Sequence, residues 1–247
     1  MRISRLYVEA RLQPGASLTL PPDASHYLAT VLRLGAESSL IVFNGSDGEF
    51  TASIKTASKK QVVVSIAEQL RPPIKERLQI HLGIGLSRGE RMDFVMQKAT
   101  ELGVSRITPL YCQFGEVRFK EPKRLDNKLR HWQQVVVNAC EQCGRITVPT
   151  VETPIALPEY LTENTLAENT ISPKLLLHTG EAPSIKEIAI QSNAMLLSGP
   201  EGGFADAEIS AATQAGYQAV SLGPRILRTE TAPLAALAIL QALYGDI

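Results

Sequence analysis

The sequence predicts a small β domain followed by a larger α/β domain built on a mainly parallel sheet. Residues 1 to about 70 carry short runs rich in β-branched and aromatic residues. From Leu78 onward, apolar strand-like runs alternate with helical periods, the pattern of a parallel sheet covered on both faces. Two late runs, Met195–Ser198 and Ala219–Leu222, each lead into a glycine-bearing loop and then a helix.

Strand composition marks Arg2–Val8, Ser39–Phe43, Glu49–Thr56 and Gln61–Ile66. Asn44-Gly45 and Asp47-Gly48 place a hairpin turn between the second and third of these. One helix interrupts them: Asp23 is the expected N-cap, Tyr27, Leu28, Val31 and Leu32 share one face, and Gly35 closes it. The residues alone specify a small barrel or sandwich and leave its function open. Gln69–Arg77, QLRPPIKER, is polar, carries Pro72-Pro73, and is the expected linker.

Beyond the linker, Leu78–Leu86 reads as a strand, and Met92, Val95, Met96, Ala99 and Leu102 recur at helical spacing up to Gly103. Val104–Leu110 is a second strand. A long helix follows with Pro122 in its first turn and Leu125, Leu129, Trp132, Val136, Ala139 and Cys143 along one stripe. That stripe suits a core or a dimer interface better than a cofactor. Val148–Glu152, Lys174–His178, Met195–Ser198 and Ala219–Leu222 complete the strands, with helices around Ala207–Ala215 and Thr231–Tyr244. Asn164–Ser172 is polar and irregular, an expected exposed connection.

The 247 residues have room for one large domain or two unequal ones. The formal net charge of zero argues against bulk electrostatic capture of nucleic acid. The distribution is less even: Arg118, Lys120, Lys123, Arg124, Lys128 and Arg130 face only Glu121 and Asp126 between residues 118 and 130. Such a patch could track phosphates, although a solvated helix face is the commoner meaning. No run of about eighteen apolar residues occurs, and MRISRLYVEA lacks the apolar core of a signal peptide, so a cytoplasmic location is expected. Cys140 and Cys143 form a C-x-x-C, but at a helix C-terminus, ahead of Gly144, where no dipole stabilises a thiolate. A zinc site needs two more ligands, and only Cys112 and His131 lie near in sequence, so packed thiols and no metal are expected.

The glycine loops narrow the ligand. Open α/β sheets bind ligands where loops leave the carboxyl ends of their strands. Gly199, Gly202 and Gly203 permit close backbone approach, while Pro200 and Pro224 stiffen the turns. Neither a phosphate-binding Lys-Ser or Lys-Thr pair nor G-x-G-x-x-G is present. With Glu201 in the loop, a polyphosphate would be repelled, so a ligand held by backbone hydrogen bonds, such as an adenosine, fits better.

GPEGG (Gly199–Gly203) followed by LGPRILRTETA (Leu222–Ala232) resembles two signature segments of the SPOUT methyltransferases, most closely the RsmE-type 16S ribosomal RNA uridine N3-methyltransferases. HYLATVLRLG (His26–Gly35), LSRGERMDFVMQKATELGVSRITPL (Leu86–Leu110) and NACEQCGR (Asn138–Arg145) extend the resemblance over nearly the whole chain. The resemblance implies a PUA-like, RNA-gripping β-barrel over residues 1–72 and a SPOUT domain with a C-terminal knot over 73–247. Nothing in the local pattern predicts a knot. It implies S-adenosylmethionine as methyl donor, bound at Leu177 and His178, at Gly199, Pro200, Glu201 and Gly202, and at Leu222, Gly223, Pro224, Ile226, Leu227, Arg228 and Thr229. Ile226 and Leu227 would wall the adenine, and a hydrogen-bonded structural role suits His178 better than that of an acid or base. Arg2, Arg5, Arg33, Lys59 and Lys60 are candidates for an RNA surface, each explained as well by solvated charge.

Uracil N3 carries a proton at neutral pH, so the chemistry calls for a carboxylate to take it or a cation to stabilise the anion. Glu141, Glu201 and Glu230 are the candidate carboxylates, and Arg145 and Arg228 the candidate cations. Glu141 and Arg145 lie four apart at a helix end, where an ion pair worth about half a kcal/mol is the ordinary alternative. Glu230 and Thr229 lie at a helix start, where capping is an equally natural job. The resemblance favours Arg145 with Glu141 as the catalytic pair, because NACEQCGR stands where the family carries an active-site arginine. It also implies a homodimer with a shared site, acting on 16S ribosomal RNA, alone or within the assembled 30S subunit, away from any membrane. A noncatalytic ribosome-assembly factor with the same fold is the alternative.

Overall fold

The computed structural model describes residues 3–58, 61–166 and 172–247. Two compact units emerge: Met1–Lys75 with Cys140–Val148, and Glu76–Ala139 with Pro149–Ile247. Arg2, Lys59 and Lys60 lie outside the described residues.

The first unit is built on a five-stranded sheet of order β1-β3-β4-β5-β2. Its strands are β1 (Ser4–Tyr7), β2 (Ser17–Thr19), β3 (Ser39–Phe43), β4 (Glu49–Ala57) and β5 (Val62–Arg71). β1 runs parallel to β3 and the other pairs are antiparallel. Alternate residues of β3, β4 and β5, among them Leu40, Val42, Ala52, Ile54, Val62 and Val64, fill the core, as the period of two requires. At the β3–β4 turn, Asn44 Oδ1 accepts from the amides of Ser46 and Asp47. Gly48 closes it at φ +102, where a Cβ would fall 2.3 Å from the Arg71 carbonyl, so no other residue fits.

Three expectations change in this unit. Helix α1 (Pro22–His26) starts after Pro21 without a side-chain cap; Asp23 lies inside its first turn. The helix runs on as a π-helical turn, Tyr27–Val31, whose wider winding breaks the expected apolar face. Leu28 is buried, but Tyr27 and Val31 are 43% and 60% exposed. Finally, Gln69 and Arg71 pair with Phe50 and Glu49, so β5 consumes the first residues of the expected linker, up to Pro72.

The second unit carries a parallel sheet of order β12-β10-β11-β6-β7-β8, with β9 also on β7. The strands are β6 (Gln79–Gly85), β7 (Val104–Tyr111), β8 (Thr150–Val151), β9 (Ile155–Ala156), β10 (Lys174–Leu177), β11 (Asn193–Ser198) and β12 (Gln218–Val220). The helices are α2 (Glu90–Glu101), α3 (Pro122–Cys143), α4 (Leu157–Leu166), α5 (Asp206–Gln214) and α6 (Thr231–Tyr244). Met92, Val95, Met96 and Ala99 of α2 are buried, and Gly103 follows at φ +81 beneath Gln241, which donates to its carbonyl at 3.0 Å. Trp132, Val136 and Ala139 carry the α3 stripe into the core, whereas Cys143 is exposed. β8 falls within the expected strand Val148–Glu152, α4 and β9 lie where the sequence shows no pattern, and Asn164 belongs to α4's last turn; residues 167–171 of the expected connection lie outside the described set.

Candidate active site

Three neighbouring strands place the expected cofactor loops together. β10 pairs with β11 on one side, Leu176 opposite Leu197, and with β12 on the other, Leu177 opposite Val220. Because all three run parallel, the loops after Leu177, Ser198 and Val220 leave the same end of the sheet. The His178 amide donates to the Val220 carbonyl at 3.0 Å, and Ser184 bridges Ser221. Thr229 Oγ1 donates to the Gly199 carbonyl at 2.7 Å, tying the third loop to the second. Glu230 makes no side-chain cap at the start of α6.

Each glycine here has its own reason. A Cβ on Gly85, at the end of β6, would fall 2.4 Å from the Pro200 nitrogen, so the Gly199–Gly203 loop can lie on β6 only over a bare backbone. A Cβ on Gly202 would meet Phe114 Cβ at 2.8 Å. Packing against Phe114 by itself requires glycine at this position of the expected cofactor loop. Gly203 (φ +72) and Gly223 (φ +106) sit in the left-handed region with open space where a Cβ would point. Pro200 is buried, while Ile226 is 84% exposed, an apolar side chain offered to whatever the loop binds. The three loops thus offer bare backbone and apolar surface, which fit an adenosine.

Glu201 is held by Arg91, whose Nη1 donates to Oε1 at 2.6 Å. Burial raises its pKa, but the hydrogen bonds from backbone amides and Arg91 outweigh this and hold it below the usual carboxylate range. It stays ionised and makes a poor proton acceptor at neutral pH.

Glu141 and Arg145 belong to the first unit, the cofactor loops to the second. They do not share a helix face: α3 ends at Cys143, and Gly144 turns the chain at φ +88 before Arg145. Glu141 Oε1 accepts from the Tyr7 amide at 2.9 Å. Burial is the largest influence on this acid and lifts its pKa, against the lowering pull of the Tyr7 amide and Arg5. Arg5 is no surface cation, with a side chain 9% exposed against Glu49. Cys140 is buried and its Sγ donates to the Thr147 carbonyl at 3.7 Å, while burial pushes the Cys112 thiol up to about 12. Among the described residues, no cluster of three or more His, Cys, Asp or Glu side chains is placed to hold a metal.

A cavity of about 720 Å³ opens in the second unit, walled by the β6–α2 connection, the β7–α3 connection and α3. Asp93 anchors it, accepting from Lys128 Nζ at 3.0 Å, His131 at 2.7 Å and Trp132 Nε1 at 3.1 Å. Arg118, from the basic run, is spent on the carbonyls of Cys112, Gly115 and Val117. Arg124 lines the cavity without an ion pair among the described residues. Outside the lining, one residue of α2 and one of the β7–α3 connection touch the Gly199–Gly203 loop, Arg91 on Glu201 and Phe114 beside Gly202.

Comparison with known proteins gives these features a family. Residues 74–241 match the RNA methyltransferase domain family and residues 20–67 the RNA methyltransferase PUA domain. The ribosomal RNA small subunit methyltransferase E of Buchnera aphidicola subsp. Schizaphis graminum is 35% identical, covering 100% of this chain and 98% of its own. The Rickettsia conorii protein of the same name is 32% identical over 98% and 97% of the two chains. The crystal structure of the Neisseria gonorrhoeae ribosomal RNA small subunit methyltransferase E bound to S-adenosyl methionine is 36% identical, with a TM-score of 0.90 over 100% of both chains. With a PUA-type N-terminal domain and a SPOUT-type parallel-sheet domain, the chain belongs to the RsmE-type family of ribosomal RNA small subunit methyltransferases.

Proposed function

We propose that this protein methylates N3 of a specific uridine in 16S ribosomal RNA, using S-adenosylmethionine, as a cytoplasmic homodimer. The observation that carries it is the trio of loops leaving the ends of β10, β11 and β12, offering bare backbone at Gly203 and Gly223 and exposed Ile226. Leu177, His178, Gly199–Gly202, Leu222–Pro224 and Ile226–Thr229 hold the cofactor, with the knotted threading of the family. S-adenosylmethionine, when bound, supplies the electrophilic methyl group.

This chain's own residues meet the remaining demands. Positioning N3 against the methyl carbon supplies much of the rate. Arg145 stabilises the uracil anion formed when the N3 proton leaves. Glu141, its pKa lifted by burial, is as a carboxylate a stronger acceptor for that proton than an exposed glutamate. The acceptor nucleoside enters the cavity beside the Gly199–Gly203 loop, with Arg124 at its wall. α6 leaves Leu234, Ala235, Ala238 and Ile239 half-buried and Leu243 49% exposed, a face suited to a second copy that brings its own Arg145.

The test is methyl transfer from labelled S-adenosylmethionine to small-subunit ribosomal RNA, followed by digestion to nucleosides. Label in 3-methyluridine supports the reading. Label in a ribose methyl or another base refutes the N3 assignment, and RNA binding without transfer favours the assembly factor.

A further inference from the structure

We infer that Arg5 and Arg71, joined on the buried Glu49 carboxylate, form a clamp that positions the Glu141–Arg145 segment for methyl transfer. The inference rests on the reading of Arg145 as the residue that meets the reacting base. Glu49 opens β4 with its side chain 4% exposed, and both carboxylate oxygens are taken. Arg5 Nε donates to Oε1 at 2.6 Å, and Arg71 Nε donates to Oε2. With Nε committed, each guanidinium turns its remaining donors outward. Arg5 Nη1 donates to the carbonyls of Cys140 and, at 3.3 Å, Glu141. Arg5 Nη2 reaches the Arg145 carbonyl at 3.2 Å, and Arg71 Nη2 the Gly144 carbonyl at 2.8 Å. The Arg5 guanidinium also lies 4.4 Å from the Phe43 ring centre, which fixes its plane.

Helix ends leave carbonyls in need of donors, and the turn at Gly144 meets that need only at Cys140. Gly144 turns the chain at φ +88 and its amide closes on the Cys140 carbonyl at 3.1 Å. Arg5 and Arg71 supply donors to Glu141, Gly144 and Arg145, and mounting both on one buried carboxylate is a costly way merely to satisfy carbonyls. What the clamp adds is a fixed backbone from 140 to 145, from two strands at once. The Tyr7 amide on Glu141 Oε1 fixes the neighbouring side chain as well. Lysine could keep the charge on Glu49, but one ammonium cannot span the same carbonyls as a planar fork.

The experiment uses full-length Arg5→Lys and Arg71→Lys enzymes, alone and combined with Arg145→Ala. Arg71 is 42% exposed on its side chain, so its variant keeps the test open should Arg5→Lys fail to fold. The clamp predicts that kcat falls about tenfold to a hundredfold, the scale of a catalytic group displaced by under an ångström. The KM for RNA and the affinity for S-adenosylmethionine should stay within about twofold, and neither variant should lower activity further once Arg145 is alanine. Wild-type kcat in both lysine variants overturns the clamp. So does a rise in KM with kcat kept, which would mean RNA gripping, or the same fractional loss with and without Arg145. Full activity of Arg145→Ala alone overturns the reading of Arg145 instead, and the clamp with it.

Discussion

Gly85→Ala tests whether the Gly199–Gly203 loop depends on its seat against β6. The added methyl would lie 2.4 Å from the Pro200 nitrogen, 2.5 Å from its Cδ and 2.9 Å from the Gly199 carbonyl carbon. Ordinary carbon contacts lie at about 3.5 Å, so the loop must retreat by about 1 Å. Overpacking of this kind costs about 1–3 kcal/mol of stability. It would also break the alignment of backbone hydrogen bonds to a bound adenosine. Two such bonds at about 1 kcal/mol each weaken binding about thirtyfold. Gly83→Ala is the matched control on the same face of β6. Its methyl would meet the side-chain ends of Leu197, Leu110 and Tyr160, at 2.7, 3.1 and 3.1 Å, which can give without moving the loop. Calorimetric titration with S-adenosylmethionine and thermal unfolding of both variants form the assay. Loss of affinity in Gly85→Ala beyond that in Gly83→Ala is expected. Equal affinities in the two would refute the link between the β6 seat and the cofactor loop.

Three further outcomes follow from the same contacts. His81 lies edge-on to Tyr160, against Thr108 Oγ1 at 2.8 Å, and burial with the Arg106 charge pushes its pKa from 6.5 to about 3. The folded state thus binds fewer protons, so stability is intact above 6.5 and falls with pH toward about 3, by up to about 5 kcal/mol; acid unfolding of His81→Gln should lack this slope. Ile226→Asp should leave the melting temperature unchanged, because the side chain is 84% exposed, yet abolish measurable S-adenosylmethionine binding; retained binding would remove Ile226 from the adenine wall. Thr229→Val removes the donor to the Gly199 carbonyl and should weaken cofactor binding about fivefold, the equivalent of about 1 kcal/mol, in the same titration.

The sequence exposed whatever depends on local pattern. Gly103 and Gly144 mark helix ends, alternation marks β3 to β5, and the strand–glycine–helix units locate the loops proposed to hold the cofactor. What it hid depends on partners distant in the chain. Arg5 reads as a surface cation because Glu49, forty-four residues away, is what buries it. At Gly202 nothing local announces the packing against Phe114 that also requires glycine. Glu141 and Arg145 look like helix neighbours until the turn at Gly144 intervenes. The cavity around Asp93 takes its walls from three separate segments, so no single window reveals it. α4 escaped notice because only Leu157, Tyr160 and Leu161 of its described side chains are buried, too short a stripe to establish a period.

The central claim concerns which atom receives the methyl group. Small-subunit ribosomal RNA should be taken from cells lacking this protein and from the same cells supplied with the wild type or Arg145→Ala, digested to nucleosides, and measured by mass spectrometry. The account predicts that one 3-methyluridine disappears on deletion, returns with the wild type, and stays absent with Arg145→Ala. An unchanged 3-methyluridine level in the deletion strain would contradict it.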